Sequence, residues 1–315
     1  MPSAYLVYNP AAGRGPTDIN VESAADVLRN VGWDIHIAQA EDGPHITRLA
    51  RLAAERGIDA FFVAGGDGSI NLAVSGLINS DTALGVLPAG TANVWAQELG
   101  LTTLNLLNTM SLTDSAQRLA KAQVFPVDVG LCNNRLFLLW SGCGLDAFIV
   151  HRIEPRDPWD KHFAVLQYSI SALWNAGFWR GMNLQAEVNG QRISGHYLLA
   201  VVSNIHLYAG GVAKISPSAR LDDGLMDLWL FEGETLGDTV QMAWDLWIGR
   251  HAQSEQAKCI PCNSLVFESD SPLYVQVDGE PAEDSRRVEI MIQPKSLKVL
   301  IPEEALYLLV KKHCD

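Results

Sequence analysis

The chain has 315 residues, 48% of them apolar and 19% charged, with a net charge of −13. That composition suits a globular protein with a large core, and the length makes two domains the default expectation. The acidic balance argues against nucleic acid, whose phosphates need clustered Lys and Arg, and against strong electrostatic attachment to an anionic membrane.

About the first 100 residues repeat one rhythm, a β-branched run, a loop and then a helical pattern. Residues 4–8 read as a strand, and 17–30 as a helix with Val21, Ala24, Val27 and Leu28 on its apolar face. Residues 34–38 alternate like a strand, and 46–56 follow as a helix presenting Ile46, Leu49, Ala50 and Ala53. Strand 58–63 leads into helix 68–78, and strand 84–87 into helix 91–99. Such alternation predicts a parallel sheet with helices on both faces. Beyond residue 125 the pattern changes. Asn189-Gly190 is a two-residue hairpin signal, and strand-like runs at 196–204, 224–231, 264–269, 272–280 and 288–293 predict a mainly antiparallel β region. Helical patterns interrupt it at 163–176 and 236–250, where Trp244 and Trp247 are expected on a core face. The fold class expected is α/β: an N-terminal parallel-sheet nucleotide-binding domain (1–125), a mainly antiparallel β second domain (126–296), and a C-terminal segment (297–315) returning to the first domain.

Five cysteines, an odd number, fit a reducing compartment better than a disulfide framework, and Cys259 and Cys262 read as ordinary thiols. The N-terminal apolar run breaks at Asn9-Pro10, which does not suit a signal peptide, and no apolar stretch approaches the about 20 residues of a membrane span. A cytoplasmic protein is expected.

Ligands of an open parallel sheet bind beyond the carboxyl ends of its strands. Those ends carry "NPAAGRG" (9–15), "QAEDG" (39–43), "GGDGS" (65–69) and "PAGTAN" (88–93). Three of the four are rich in small residues and two run into a helix N-terminus, where free N–H groups and a partial positive charge favour anions by about 0.3–1 kcal/mol per contact. This is the shape of a phosphate site. The P-loop pattern is absent, and the dinucleotide fingerprint fails because Gly66 and Gly68 are followed by Asn71 in place of a third glycine. A tight strand-to-helix turn accounts for Gly65 or Gly68 alone. It does not account for Asp67, which would repel phosphates unless a cation intervened, so the fitting partner is Mg²⁺ with a nucleoside triphosphate.

"GGDGS" followed by "GVLPAGTAN" resembles the bacterial diacylglycerol kinase and lipid kinase family, relatives of the sphingosine and ceramide kinases that share the Gly-Gly-Asp-Gly turn with NAD kinase. The resemblance extends to "NPAAGRG", to "VDVG" (127–130) with "SGCGLDAF" (141–148), to "ISPSARLDDGLMDL" (215–228) and to "VQVDGEP" (275–281). It implies an ATP- and Mg²⁺-dependent kinase that phosphorylates a lipid hydroxyl, such as that of diacylglycerol, in a cleft between two domains. On this resemblance Asn9, Gly65, Gly66, Asp67, Gly68, Ser69, Asn71, Thr91 and Asn93 hold ATP, and Asp67 acts through Mg²⁺ and its waters. Turn and cap chemistry is the competing account of the same residues, Thr91 serving simply as a helix start. Asp278 and Glu280 stand where the family places the base for the acceptor hydroxyl, against a competing account of Asp278-Gly279 as a hairpin turn; the residues do not say which acid is the base. Asp223 is the implied cation ligand, with the carbonyls of Arg220 and Leu225, and Asp128 is a further candidate for the same water-linked network.

Two departures stand out. The family's Gly-Thr-x-Asn-Asp ends here in Val94, an aliphatic side chain that accepts no hydrogen bond from a metal-bound water, and Ser69 replaces the usual Thr. A segment at 156–181 interleaves Trp159, Phe163, Trp174, Phe178 and Trp179 with basic residues, which suits either transient membrane-surface contact or a buried helix. Two rival functions follow. One is a soluble-substrate kinase of the NAD kinase type, although that family's Asn-x-Gly-x-x-Gly-Phe-Leu run is missing; the other is a non-catalytic lipid or nucleotide sensor, suggested by Val94. The sequence singles out neither the acceptor lipid nor an oligomeric state.

Overall fold

The computed structural model describes residues 1–10, 18–101, 111–153 and 179–310. The helical pattern at 163–176, the aromatic residues Trp159, Phe163, Trp174 and Phe178, and most of the 9–15 loop lie outside the described residues. The chain divides into two compact units, Met1–Asp128 with the segment from Pro294 onward, and Val129–Gln293.

The first unit runs β1 (Ser3–Tyr8), α1 (Asp18–Asn30), β2 (Asp34–Gln39), α2 (Gly43–Glu55), β3 (Ala60–Gly65), α3 (Asp67–Leu77), β4 (Ala83–Pro88), α4 (Val94–Glu98), α5 (Ser111–Leu119) and the start of β5 (Gln123–Cys132). β1 pairs with β2 and with β3, and β3 with β4, each in parallel register, as in Leu6 opposite Phe62 and Val63 opposite Val86. Every residue of β3 and β4 is buried. Strands covered on both faces have no polar side to show, so they read as continuous apolar runs. β2 lies on the edge of this parallel set and carries exposed Asp34, His36 and Gln39.

The helices are set by capping and by one apolar stripe each. α2 begins at Asp42, whose side chain accepts the His45 N–H at 2.7 Å, with proline in its first turn, and it buries Ile46, Ala50 and Ala53 while Leu49 is half-buried. α1 buries Val21, Ala24, Ala25 and Leu28; Val27, expected inside, is half-buried, because the face is centred one residue earlier. The expected helix at 91–99 is cut to the five residues of α4. Asn93 adopts φ 52° and ψ 46°, a left-handed conformation that no helix continues through.

The second unit contains the end of β5, then β6 (Arg135–Phe137), β7 (Trp140–Gly144), α6 (Leu145–Ile153), β8 (Met182–Val188), β9 (Gln191–Ser203), β10 (Leu207–Tyr208), β11 (Ala213–Lys214), β12 (Met226–Glu232), α7 (Leu236–Trp247), β13 (Ala257–Cys262), β14 (Ser264–Val277) and most of β15 (Glu280–Ile301). Its pairings are antiparallel: β13 with β12, β12 with β9, β9 with β7, β7 with β14, and β14 with β15. β8 alternates strictly, burying Met182, Leu184, Ala186 and Val188. It turns into β9 through Asn189 and Gly190, both at positive φ (51° and 74°), the geometry of a type I′ hairpin. The last residues of β15 belong to the first unit, where Val299 pairs in parallel with Leu84, and a 3-10 turn at Glu303–Leu308 follows.

α7 corrects one expectation. It starts in a capping box between Thr235 and Asp238 and buries Thr239, Met242 and Leu246, but Trp244 and Trp247 are 55% and 60% exposed. Apolar residues fall on both sides of this helix, and the core takes the narrower side. Cys132, Cys143, Cys259 and Cys262 carry free thiols, and burial pushes Cys259 and Cys262 up to about 12, far from a reactive thiolate pair. Among the described residues no helix is long and apolar enough to cross a membrane.

Candidate active site

Two glycine turns interlock in the first unit. β3 ends at Gly65, Gly66 is the extended N-cap of α3, and no side chain caps that helix. The N-cap therefore offers no acceptor to the first amides of this 11-residue helix, and the Asp67 carboxylate interacts with its own N–H. A Cβ on Gly90 would sit 2.4 Å from Gly66 Cα, and one on Gly65 2.6 Å from Ser69 Cβ, so these glycines are required by close approach.

The side chains complete the lock. Asp67 Oδ2 accepts the Val94 N–H and Oδ1 the Trp95 N–H, both at 3.0 Å. It thereby caps α4, whose own N-cap, Asn93, makes no side-chain cap bond. Burial raises the Asp67 pKa, and the amides of Trp95 and Val94 oppose that rise. Asn93, almost fully buried, accepts the Gly90 N–H through Oδ1 and donates Nδ2–H to the Gly90 carbonyl, each at 2.8 Å. Of the residues expected at ATP, then, Gly65, Gly66 and Asn93 also hold the turns together. Gly68 and Thr91 are exposed, and Asn9, Ser69 and Asn71 are half-buried. The backbone N–H groups of Asn93 and of Asp67 itself also favour the charged form, so this carboxylate is spent on backbone amides. Val94 is buried in the core with its N–H on Asp67, so its side chain offers nothing to a site. Asp128, fully buried, accepts the Lys295 N–H at 2.7 Å.

A second carboxylate clasps backbone in the second unit. Asp278 and Gly279 take φ 51° and 77° in the β14–β15 hairpin. Asp278 Oδ2 accepts the Leu138 N–H at 3.0 Å; Oδ1 accepts those of Leu139 and Trp140 at 2.9 and 3.2 Å. Its own N–H donates to the Trp140 carbonyl. Glu280 points to solvent and pairs with Arg135 at 3.1 Å, while Arg135 also donates to the Pro281 carbonyl.

The expected cation region is a pocket of about 140 Å³ lined by Ser203, Ser218, Arg220, Asp223, Leu225 and Asp227, among others. Asp223 is exposed and accepts the Leu225 N–H at 3.0 Å, and the Arg220 guanidinium folds back on the Ala219 carbonyl at 2.8 Å. Asp227 is 8% exposed, and its Oδ2 is buried without a hydrogen-bond partner. Burial raises the Asp227 pKa, and the charge of Asp223 adds to that rise. Among the described residues no three His, Cys, Asp or Glu side chains cluster as ligands. The donors present are two carboxylates and backbone carbonyls. That set fits a hard divalent cation, and an orphaned buried carboxylate oxygen is the group such an ion would satisfy.

Residues 3–132 match the diacylglycerol kinase catalytic domain, and residues 142–301 match the YegS C-terminal NAD kinase beta sandwich-like domain. The chain belongs to the diacylglycerol and YegS-type lipid kinase family. It is similar to the diacylglycerol kinase of Bacillus subtilis (strain 168), 24% identical over 89% of this chain and 90% of that protein. It is 26% identical to the diacylglycerol kinase of Mycobacterium tuberculosis (strain ATCC 25618 / H37Rv), covering 93% of each. A crystal structure of a diacylglycerol kinase from Bacillus anthracis str. Sterne shares the two-domain α/β fold with a TM-score of 0.73 at 20% identity, over 96% of this chain and 98% of that one.

In this lipid kinase one network escapes sequence reasoning. Asp146, in the first turn of α6, accepts the Ala147 N–H through Oδ1 at 2.7 Å. Its Oδ2 accepts the Tyr208 O–H at 3.0 Å and Gln276 Nε2–H at 2.9 Å. The fully buried Gln276 in turn accepts the Gly279 N–H at 2.9 Å, so a half-buried acid is linked to the Asp278-Gly279 turn. Burial pushes Asp146 up to about 6. The sequence signal is weak: Gln276 is the next-to-last residue of a strand that runs straight into the Asp278-Gly279 turn, where a glutamine side chain can reach a turn amide.

Proposed function

We propose that the protein transfers the γ-phosphoryl group of ATP, with Mg²⁺, to a hydroxyl of a lipid such as diacylglycerol. The observation that carries this reading is the uncapped N-terminus of α3 between two interlocked glycine turns, a cradle of backbone amides beside one clamped carboxylate. The amides of Gly68 and Ser69 would bind phosphate oxygens. Asn93, bonded twice to Gly90, would hold the facing turn in place. Asp223, Asp227 and the carbonyls of Arg220 and Leu225 would hold a divalent cation, and the charge of Asp67 would attract one to the head of α3. Such an ion supplies charge neutralisation for the transferring phosphoryl group. One of the pair Asp278 and Glu280 takes the proton of the acceptor hydroxyl as its oxygen bonds to the γ-phosphorus; the bond to the β–γ bridging oxygen breaks and ADP leaves.

The test is transfer of label from [γ-³²P]ATP to diacylglycerol in detergent micelles, with NAD as a parallel acceptor. Wild type is expected to label the lipid. Asp278→Asn and Glu280→Gln distinguish the base, since general-base loss costs about 10²–10⁴ in rate. Formation of NADP in place of labelled lipid would move the protein to the soluble-substrate kinases, and ATP binding without transfer to any lipid would make it a sensor.

A further inference from the structure

Five large apolar side chains of the second unit stand exposed along one helix and its end: Leu236 (47%), Val240 (55%), Trp244 (55%), Trp247 (60%) and Ile248 (39%). Their spacing of four, four, three and one places them within an arc of about 120° on α7, away from the Thr239, Met242 and Leu246 side that faces the core. Isolated exposed apolar residues are ordinary, but a contiguous stripe with two tryptophans marks a surface that meets something apolar. We propose that this stripe is a bilayer-docking face that lies in the membrane interface and brings the kinase to its lipid acceptor.

Three observations select a bilayer as the occupant. The Trp244 and Trp247 rings lie 5.2 Å apart, an amphipathic pair of the type that settles at the level of lipid headgroups. The stripe itself carries no charge. Asp238 falls off it and is occupied at the helix start by the N–H groups of Glu234 and Thr235, Asp245 falls off it and is half-buried, and exposed Lys214 sits on β11, the strand beside α7. A 12-residue helix, about 18 Å long, is too short to span a bilayer and long enough to lie along its surface. With a net charge of −13, the attraction must come from insertion, so binding is expected on uncharged membranes and with little salt dependence.

The choice of a lipid partner rests on the kinase reading, so the experiment separates the two. Flotation with phosphatidylcholine vesicles containing diacylglycerol measures binding without turnover. Wild type is expected to float at low and high salt, and Trp244→Ala/Trp247→Ala to bind at least about tenfold more weakly. Val240→Glu, a single change at an exposed position, should weaken binding in the same direction. Both variants should phosphorylate diacylglycerol in detergent micelles at the wild-type rate. Loss of micelle activity in wild type as well would sink the kinase reading and leave the docking face standing. Equal flotation of wild type and the double variant, or no flotation of wild type, would overturn the proposal. So would a wild-type dimer that becomes a monomer in the double variant, since the stripe would then be covered by a second copy.

Discussion

Asp67 and Asp278 solve one problem in two settings. Each sits beside a glycine turn, and each spends its carboxylate on backbone N–H groups from a segment distant in sequence. Asp67 takes two amides, 27 and 28 residues away, at the start of a short helix; Asp278 takes three, 138 to 140 residues away, from the bend that joins β6 to β7. The difference is in where each acid stands. Asp67 lies at the positive end of α3, whereas Asp278 lies at a hairpin tip. An acid that clamps a turn is also held still, which is what positioning a phosphoryl group or a proton demands.

The variants that break the comparison can be ranked. Asp67→Ala should have the largest effect, removing the cap of α4 and the site carboxylate together. Lipid labelling should fall about 10³-fold and stability by about 1–2 kcal/mol in urea unfolding, and unchanged labelling would confine Asp67 to structure. Gly90→Ala places a methyl group 2.4 Å from Gly66 Cα, backbone against backbone, where neither side can rotate away. A loss of about 2–3 kcal/mol is expected by the same measurement, with weaker ATP binding by calorimetry. Asp278→Ala strands three amides at 138–140 and should cost about 1–3 kcal/mol; Asp278→Asn, which keeps one acceptor oxygen, should cost less.

The last effect sharpens the comparison through pH. Asp146 has its folded pKa raised to about 6, above its ordinary value of 3.8. For an acid shifted upward, the folded state holds more protons than the unfolded chain between those two values. Stability from this group is therefore greatest in acid and falls as pH rises through about 4 to 6, by on the order of 1–3 kcal/mol. Urea midpoints at pH 4.5 and 7.5 should show this slope in wild type and a flatter one in Asp146→Asn. An identical slope in both would mean that the link from Asp146 through Gln276 to the Asp278-Gly279 turn carries no proton-coupled energy.

The elements that could be read from sequence share a property: their signal is local. β3 and β4 are continuous apolar runs, β8 alternates residue by residue, and Asn189-Gly190 carries its own turn geometry. α4 is shorter than its periodicity predicts because Asn93 breaks the helix in a left-handed conformation fixed by its bonds to Gly90. Trp244 and Trp247 face outward against expectation because a helix apolar on both sides does not say which side is buried. Asp146 gives no local signal because its partners, Tyr208 and Gln276, lie 62 and 130 residues away.

Local residue chemistry is enough to lay out the run of strands and helices, the two glycine turns and the acids beside them, since backbone propensity acts over a few positions. It took the folded arrangement to show that Asp67 grips α4, that Asp278 grips residues 138–140, that Asp227 keeps a buried oxygen unsatisfied, and that two tryptophans face outward. Each of these depends on which distant amide or surface arrives within about 3 Å, and hydrogen bonding and burial are settled by that arrival alone.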